Sequence, residues 1–175
     1  MPVFQPRGGH FGLILPLCTS SATIGLALFQ YPIFLSFLQA QPSIAGGPLS
    51  RFWDAVIVPG GSIITAITLT SAIAGAVSAR WLQTHATLET SSVSQWYTYG
   101  AILAAGHLAF VPFIAGPIRI EAEKAIERRS EEAIDEANRE EMKSWLFWHT
   151  MRTVLVDAPA LLCFAEGAAL SFWVV

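Results

Sequence analysis

The chain has few charged residues and only two cysteines. Charged side chains make up 13% of its 175 residues, and the formal net charge is −3. Binding to nucleic-acid phosphates requires a surplus of lysine and arginine on one surface, so this composition argues against a nucleic-acid partner. Cys18 and Cys163 form neither a CxxC pair nor a zinc-type spacing, which argues against dithiol redox chemistry. Both lie inside apolar runs, which favours small, buried packing residues.

Long apolar runs dominate the rest of the sequence. Hydrophobic residues make up 53% of the chain, and four runs cover residues 11–38, 55–79, 97–118 and 151–175. Each exceeds the roughly 18–20 residues that a helix needs to cross a hydrocarbon core about 30 Å thick. Helices satisfy their own backbone hydrogen bonds in lipid, so the sequence predicts an all-α bundle of four transmembrane helices. Residues 1–175 would then form a single integral membrane domain in the lipid bilayer.

The segment before the fourth run is polar instead of apolar. Residues 119–144 carry acidic and basic side chains at i,i+3 and i,i+4 spacings, such as Asp135 with Arg139. This pattern predicts a charged, water-exposed helix outside the membrane that leads into the last span, with a partner-docking surface as the alternative. Residues 39–54 contain two prolines and two glycines, which predicts a loop that ends on Trp53 at the membrane surface.

Ionisable residues inside the predicted spans are the candidate site residues. A charge in lipid is costly, so such residues usually face the bundle interior and serve a function. His107 lies in the middle of the third span, shortly before Pro112, which is expected to kink the helix. A histidine that only hydrogen-bonds across helices is the alternative.

A second group of candidates lies at the start of the fourth span. Spacings of i, i+3, i+4 and i+7 place four residues on one helix face: Trp145, Trp148, His149 and Arg152. Asp157 follows Arg152 by five residues, roughly 140° around an ideal helix, so the two can pair only if the helix is distorted between them. The alternative is an aromatic belt with Arg152 reaching the lipid headgroups.

Four sequence motifs recur in one known family. They are FQYPIFLSF in the first span, RFWDAVIVPGG at the second, FVPFIAGPIRIEAEK at the end of the third, and W-x-x-x-H-x-x-R before the fourth. Over nearly its whole length the chain resembles the fungal anthrone oxygenases, small four-span membrane proteins of polyketide biosynthetic clusters. It departs from the family pattern after the third span, where GPIR, ending in Arg119, stands in place of P-T-N.

The resemblance implies a monooxygenase in a fungal endomembrane. Its substrate would be an anthrone-type polyketide, an apolar polycyclic aromatic molecule that is converted to an anthraquinone with O2 as co-substrate and no organic cofactor. In this interpretation His149 is the base, Arg152 stabilises the oxyanion, Asp157 orients one of them, and His107 is the alternative base. The expected substrate-binding residues are Trp53, Trp145, Trp148, Tyr31 and Arg119.

Other interpretations stay open. A related isomerase or cyclase would use the same base and apolar pocket, and a non-catalytic scaffold would use the charged helix to recruit pathway enzymes. A metal held by His107, His149 and Asp157 is conceivable, although no local ligand spacing supports it. Small residues in the spans, including Gly60 and Gly100, permit tight packing within one chain or in a homo-oligomer.

Overall fold

Helices account for nearly all of the computed structural model, which describes residues 10–84, 90–116 and 130–174. Helix α1 spans His10–Gln39 and α2 spans Gly47–Thr84. Helix α3, Thr90–Gly106, continues through a 3-10 turn, His107–Phe110, into helical residues 111–116. Helix α4, Glu131–Arg152, leads through a π-helical turn, Thr153–Asp157, into α5, Ala158–Val174. These described ranges contain no strand.

The helices are long and apolar enough to cross a membrane. Within the described ranges there are four such helices: Phe11–Gln39, Gly47–Thr84, Ser92–Gly116 and Glu131–Phe172. Large apolar side chains are exposed on the outside of each, among them Phe29, Val58, Phe113 and Leu162. Such side chains suit contact with lipid chains, because they carry no polar group that would need a hydrogen-bond partner in a hydrocarbon medium. The predicted four-helix membrane bundle is confirmed.

Two buried clusters hold the bundle at different levels. In the first, Phe164 of α5 packs against Gly75 of α2 and Gly100 of α3. A β-carbon added at either glycine would lie 2.6 Å from the phenyl ring, so the missing side chains let three helices meet around one ring. The second cluster contains Phe34, Leu49, Trp53, Met142 and Trp145. Along the fourth membrane-spanning helix, which consists of α4, the π-helical turn and α5, residues 149–157 lie between the two clusters.

Helix α2 begins earlier than the predicted loop over residues 39–54 allows. It begins at Gly47, and Pro48 falls in its first turn, where the missing N–H of proline leaves no hydrogen bond unmade. Trp53 therefore lies inside the helix and is only 4% exposed. The expectation that Trp53 ends a loop at the membrane surface is corrected by this placement.

The charged helix is observed from Glu131 onward, and residues 119–129 of the prediction lie outside the described residues. The hydroxyl of Ser130 accepts a hydrogen bond from the backbone N–H of Ala133 and caps the helix start. The predicted pair is present, since Arg139 Nε lies 2.7 Å from Asp135 Oδ2. Arg139 also donates to the carbonyl oxygen of Leu38 at 2.8 Å, so this side chain links α4 to the end of α1.

Asn138 fixes α4 to the loop between the first two helices. Its side chain has no exposed surface, and its amide nitrogen donates to the carbonyl oxygens of Ala45 (2.8 Å) and Gly46 (3.2 Å) and to Ser50 Oγ (2.9 Å). A buried amide with these partners specifies one position of α4 over the loop. This contact holds Trp145, two turns further along α4, against Trp53 of α2.

The two cysteines differ from their predicted placement. Cys18 is exposed on α1 and Cys163 is half-buried, so neither is a fully buried core residue. A free thiol behaves as a small hydrophobic group, and a lipid-facing position therefore suits it as well as a core position would.

We expect Asn138→Ala to destabilise the bundle by about 1–3 kcal/mol, because three acceptors lose their buried donor. The free energy of unfolding in detergent measures this. Glu140→Ala is the matched control, since Glu140 pairs with Lys143 on the exposed face of the same helix. Equal stability of the two variants would contradict the assigned role of Asn138.

Candidate active site

A 3-10 turn places His107 inside the bundle. Pro112 has no N–H to donate, and in a regular α-helix its ring would clash with the carbonyl group of Leu108. The helix tightens at His107–Phe110 just before this proline, and the N–H of Val111 bonds to Leu108 O. His107 begins the turn and is 3% exposed.

A π-helical turn brings Asp157 to Arg152. The turn covers Thr153–Asp157 and ends two residues before Pro159, and the N–H of Ala158 bonds to the carbonyl oxygen of Thr153, five residues back. The extra residue in this turn moves Asp157 close to the place that position i+4 has in an ideal helix. Arg152 Nε then donates to Asp157 Oδ2 at 3.1 Å. The sequence indicates that Arg152 and Asp157 can pair only if the helix is distorted between them, and the π-helical turn is that distortion.

Buried hydrogen bonds link the third and fourth membrane-spanning helices to each other and to α1. Asp157 Oδ1 lies 2.8 Å from His107 Nδ1, so one carboxylate is hydrogen-bonded to both His107 and Arg152. On its other side, Arg152 Nη2 lies 3.0 Å from His149 Nδ1. His149 Nε2 lies 3.1 Å from the carbonyl oxygen of Ala27 on α1. We call these four side chains, His107, Asp157, Arg152 and His149, the buried network.

The hydrogen-bond partners define the tautomer of each histidine. Arginine only donates and a backbone carbonyl only accepts, so His149 accepts at Nδ1 and carries its proton on Nε2. A carboxylate accepts from His107 Nδ1, which leaves Nε2 as the nitrogen with a free lone pair in the neutral ring. Within the described residues, His107 Nε2 makes no hydrogen bond, whereas both ring nitrogens of His149 are engaged.

A cavity of about 230 Å³ lies beside the network and is called the main cavity below. Two hollows along α2, of about 490 and 480 Å³, are larger but border none of the four network residues. His107 and Arg152 reach it, and His149 and Asp157 do not. Its remaining walls are mostly apolar and come from α1, α2, the helical residues 111–116 and α4. They include Phe34, Trp53, Gly60, Gly61, Ile114 and Trp145. The volume is near the lower end of the range for small-molecule sites.

Aromatic rings form one side of the main cavity. Phe34 stacks on Trp53 with ring centroids 4.6 Å apart, and Trp145 stacks on His149 at the same separation. The indole nitrogens of Trp53 and Trp145 are buried without a hydrogen-bond partner in the described part of the protein. The nitrogen atoms themselves have almost no accessible surface, so the two indoles border the cavity through other ring atoms.

The other predicted binding residues lie elsewhere. The hydroxyl of Tyr31 is 2.8 Å from Thr150 Oγ1, and its ring packs against His149 at 5.0 Å. Trp148 stacks on Phe113 at 4.8 Å. Neither Tyr31 nor Trp148 borders the main cavity. Arg119 lies outside the described residues.

Two features of the site carry no signal in the sequence. Phe34 is one of many aromatic residues in the apolar runs, and nothing marks it as a wall of the main cavity. Gly60 fits the predicted role of a small packing residue, yet here it borders the main cavity together with Gly61, where an added β-carbon would meet no atom within 4 Å. Only the assembled helices distinguish a glycine that packs from a glycine that leaves room.

No group of three or more histidine, cysteine, aspartate or glutamate side chains among the described residues is arranged to hold a metal ion. The conceivable set of His107, His149 and Asp157 is divided, because the guanidinium group of Arg152 bonds to both His149 and Asp157. A cation of the protein itself therefore occupies the position between these two side chains.

Comparison with known proteins yields one distant relative. The chain is similar to a protein of Penicillium citrinum named Epoxidase gkaX, with 27% identity over 167 residues that cover 89% of this chain and 91% of that protein. No protein-family model matches the chain. No solved structure matches it either.

We expect the substitutions of Arg152 and Asp157 to be energetically coupled by about 0.5–3 kcal/mol, because removing either charge leaves the other one buried without its partner. A double-mutant cycle of unfolding free energies with Arg152→Gln and Asp157→Asn measures the coupling. The exposed pair Glu140 and Lys143 serves as the control cycle, with a coupling close to zero. Similar couplings in the two cycles would contradict the buried pairing.

Proposed function

We propose that this protein is a membrane-embedded oxygenase of secondary metabolism that oxidises an anthrone-type polyketide to an anthraquinone. One observation carries the proposal: a histidine nitrogen with a free lone pair and an arginine border the same apolar cavity in a membrane bundle. The name of the Penicillium citrinum relative, an epoxidase, supports oxygen chemistry in this kind of protein.

The chemistry needs few protein groups. The central methylene of an anthrone is acidic because its carbanion is an aromatic, phenolate-like anion, and such an anion can pass an electron to O2 directly. The carbon loses four electrons as CH2 becomes C=O, and O2 gains four as one oxygen atom enters the carbonyl group and the other leaves as water. The protein must supply a base, an anion partner and a cavity that admits substrate and O2.

His107 is the base in this proposal. Its Nε2 takes the methylene proton, and Asp157 holds the ring from Nδ1 and stabilises the imidazolium that forms. The sequence favours His149 for this step and names His107 as the alternative. The geometry favours the alternative, because both nitrogens of His149 are engaged and His149 does not reach the main cavity.

Arg152 is the anion partner. Its Nε bonds to Asp157 and its Nη2 to His149, so the guanidinium group is held from two sides while it borders the main cavity. A cation fixed in advance stabilises charge that develops on the substrate oxygen without reorganising during the reaction. His149 is thus a positioning residue for Arg152.

Trp53 and Trp145 would select the substrate. Both indoles border the main cavity, and the ring of Trp53 continues the stack formed with Phe34, which suits a flat polycyclic substrate.

The first experiment is O2 uptake by the detergent-purified protein given emodin anthrone, measured above the autoxidation rate and repeated with a chelator. An isomerase or cyclase would use the same base without consuming O2. Uptake at the autoxidation rate from folded protein would overturn the proposed oxygenase, and uptake that the chelator abolishes would overturn a metal-free reaction.

We expect His107→Ala to lower the O2 uptake rate by about 10²–10⁴-fold, because it removes the proton acceptor. His149→Ala leaves that acceptor in place and should lower the O2 uptake rate less, because it removes only the hydrogen bond that positions Arg152. Melting temperatures establish that both variants are folded. The opposite order of the two losses would return the base role to His149.

Gly61→Phe should lower kcat/KM by about tenfold or more, because Gly61 lines the main cavity and a new ring there would take up part of its volume. A β-carbon at Gly61 meets no atom within 4 Å, so the helix tolerates the change. Gly25→Phe on α1 is the matched control: it is equally open and does not border the main cavity. Equal activity of the two variants would exclude this cavity as the substrate site.

A further inference from the structure

A second, much smaller cavity lies behind Asp157. Its volume is about 10 Å³, and hydroxyl side chains from α1 and α2 form most of its wall. It is bordered by Ser20, Thr23, Thr68, Ser71 and Asp157, together with Ala104 and Ala160. Asp157 borders this small cavity, while its partners His107 and Arg152 border the main cavity. Asp157 therefore lies at the small cavity, and its two hydrogen-bond partners lie at the main cavity.

Thr68 stands out among these hydroxyl groups. It is 2% exposed, and its Oγ1 is buried with no hydrogen-bond partner in the described part of the chain. Two of its neighbours are satisfied: Ser71 Oγ donates to Thr19 Oγ1 at 2.8 Å, and Thr23 Oγ1 donates to the carbonyl oxygen of Thr19 at 3.2 Å. An unpaired hydroxyl in a bundle interior is unfavourable, so a partner outside the chain is expected at this point.

We propose that the small cavity holds one water molecule that bridges the hydroxyl of Thr68 and the carboxylate of Asp157. A cavity of about 10 Å³ has room for a single water molecule. A buried water needs two to four polar partners, and Thr68, Asp157 and the nearby Ser20 provide them. Each carboxylate oxygen of Asp157 uses one lone pair on a protein donor, so a lone pair is free to accept from this water.

The water gives Asp157 a third donor, on the side away from the main cavity. His107 and Arg152 approach the carboxylate from the other side, and the bridge to Thr68 on α2 fixes its orientation against them. Thr68 does not border the main cavity, so it acts through Asp157 as a positioning residue. The effect on turnover rests on the proposed function, whereas the presence of the water does not.

The spectral test uses water itself as the probe. Infrared difference spectra of the purified protein in H2O and in H2¹⁸O identify the O–H stretches of buried water, and no substrate is needed. We expect one isotope-sensitive band that Thr68→Val removes and Thr68→Ser retains, because only the hydroxyl is required. Thr70→Val is the matched control, since Thr70 is exposed and its hydroxyl bonds to Ala66 O at 2.8 Å. A spectrum without such a band, or a band that Thr68→Val leaves unchanged, would overturn the proposed water.

The kinetic test asks whether the water positions Asp157. With emodin anthrone, Thr68→Val should lower kcat by about tenfold at an unchanged KM, and Thr68→Ser should restore it. Loss of the band with full kcat would overturn the positioning role. Absence of turnover in the unaltered protein would overturn the proposed function and leave the spectral result valid.

Discussion

The buried carboxylate of Asp157 is the constraint on which the rest of the site depends. Moving an ionised carboxylate from water into a bundle interior costs on the order of several kcal/mol unless donors surround it. Here the donors come from His107 on the third helix and Arg152 on the fourth, and Arg152 in turn contacts His149, which reaches the backbone of α1. One charge thus fixes the relative positions of three helices, and the requirement for donors explains why they converge at this level.

Two prolines make this convergence geometrically feasible. Pro112 follows the tightened turn that begins with His107, and Pro159 follows the widened turn that ends with Asp157. In a regular helix Asp157 would point away from Arg152 by roughly 140°, and the fourth helix would present the two charges to different neighbours. The loss of regular helical hydrogen bonds next to each proline is local, and the network of side-chain bonds offsets it.

Much of the fold follows from the sequence, because a bilayer accepts few alternatives for an apolar run of sufficient length. The start of α2 was harder to predict, since the Gly-Gly-Pro run that signals a loop also suits a helix start, and Trp53 changed from a surface residue to a cavity wall. His107, Arg152 and Asp157 were identifiable as ionisable residues in spans. Which histidine meets the carboxylate depends on the rotation of each helix about its axis and on one inserted residue in the π-helical turn, and no spacing in the sequence specifies either.

Charge balance explains why such a network suits proton abstraction in lipid. In the proposed resting state Asp157 and Arg152 compensate each other, and the histidines are in the neutral tautomers described above. Transfer of a proton from a neutral substrate to His107 would create one positive and one negative charge in a medium of low dielectric constant. The new cation would arise beside the carboxylate, and the new anion would arise in the cavity that the guanidinium group borders. Each new charge would then meet a fixed partner of opposite sign, which would lower the barrier.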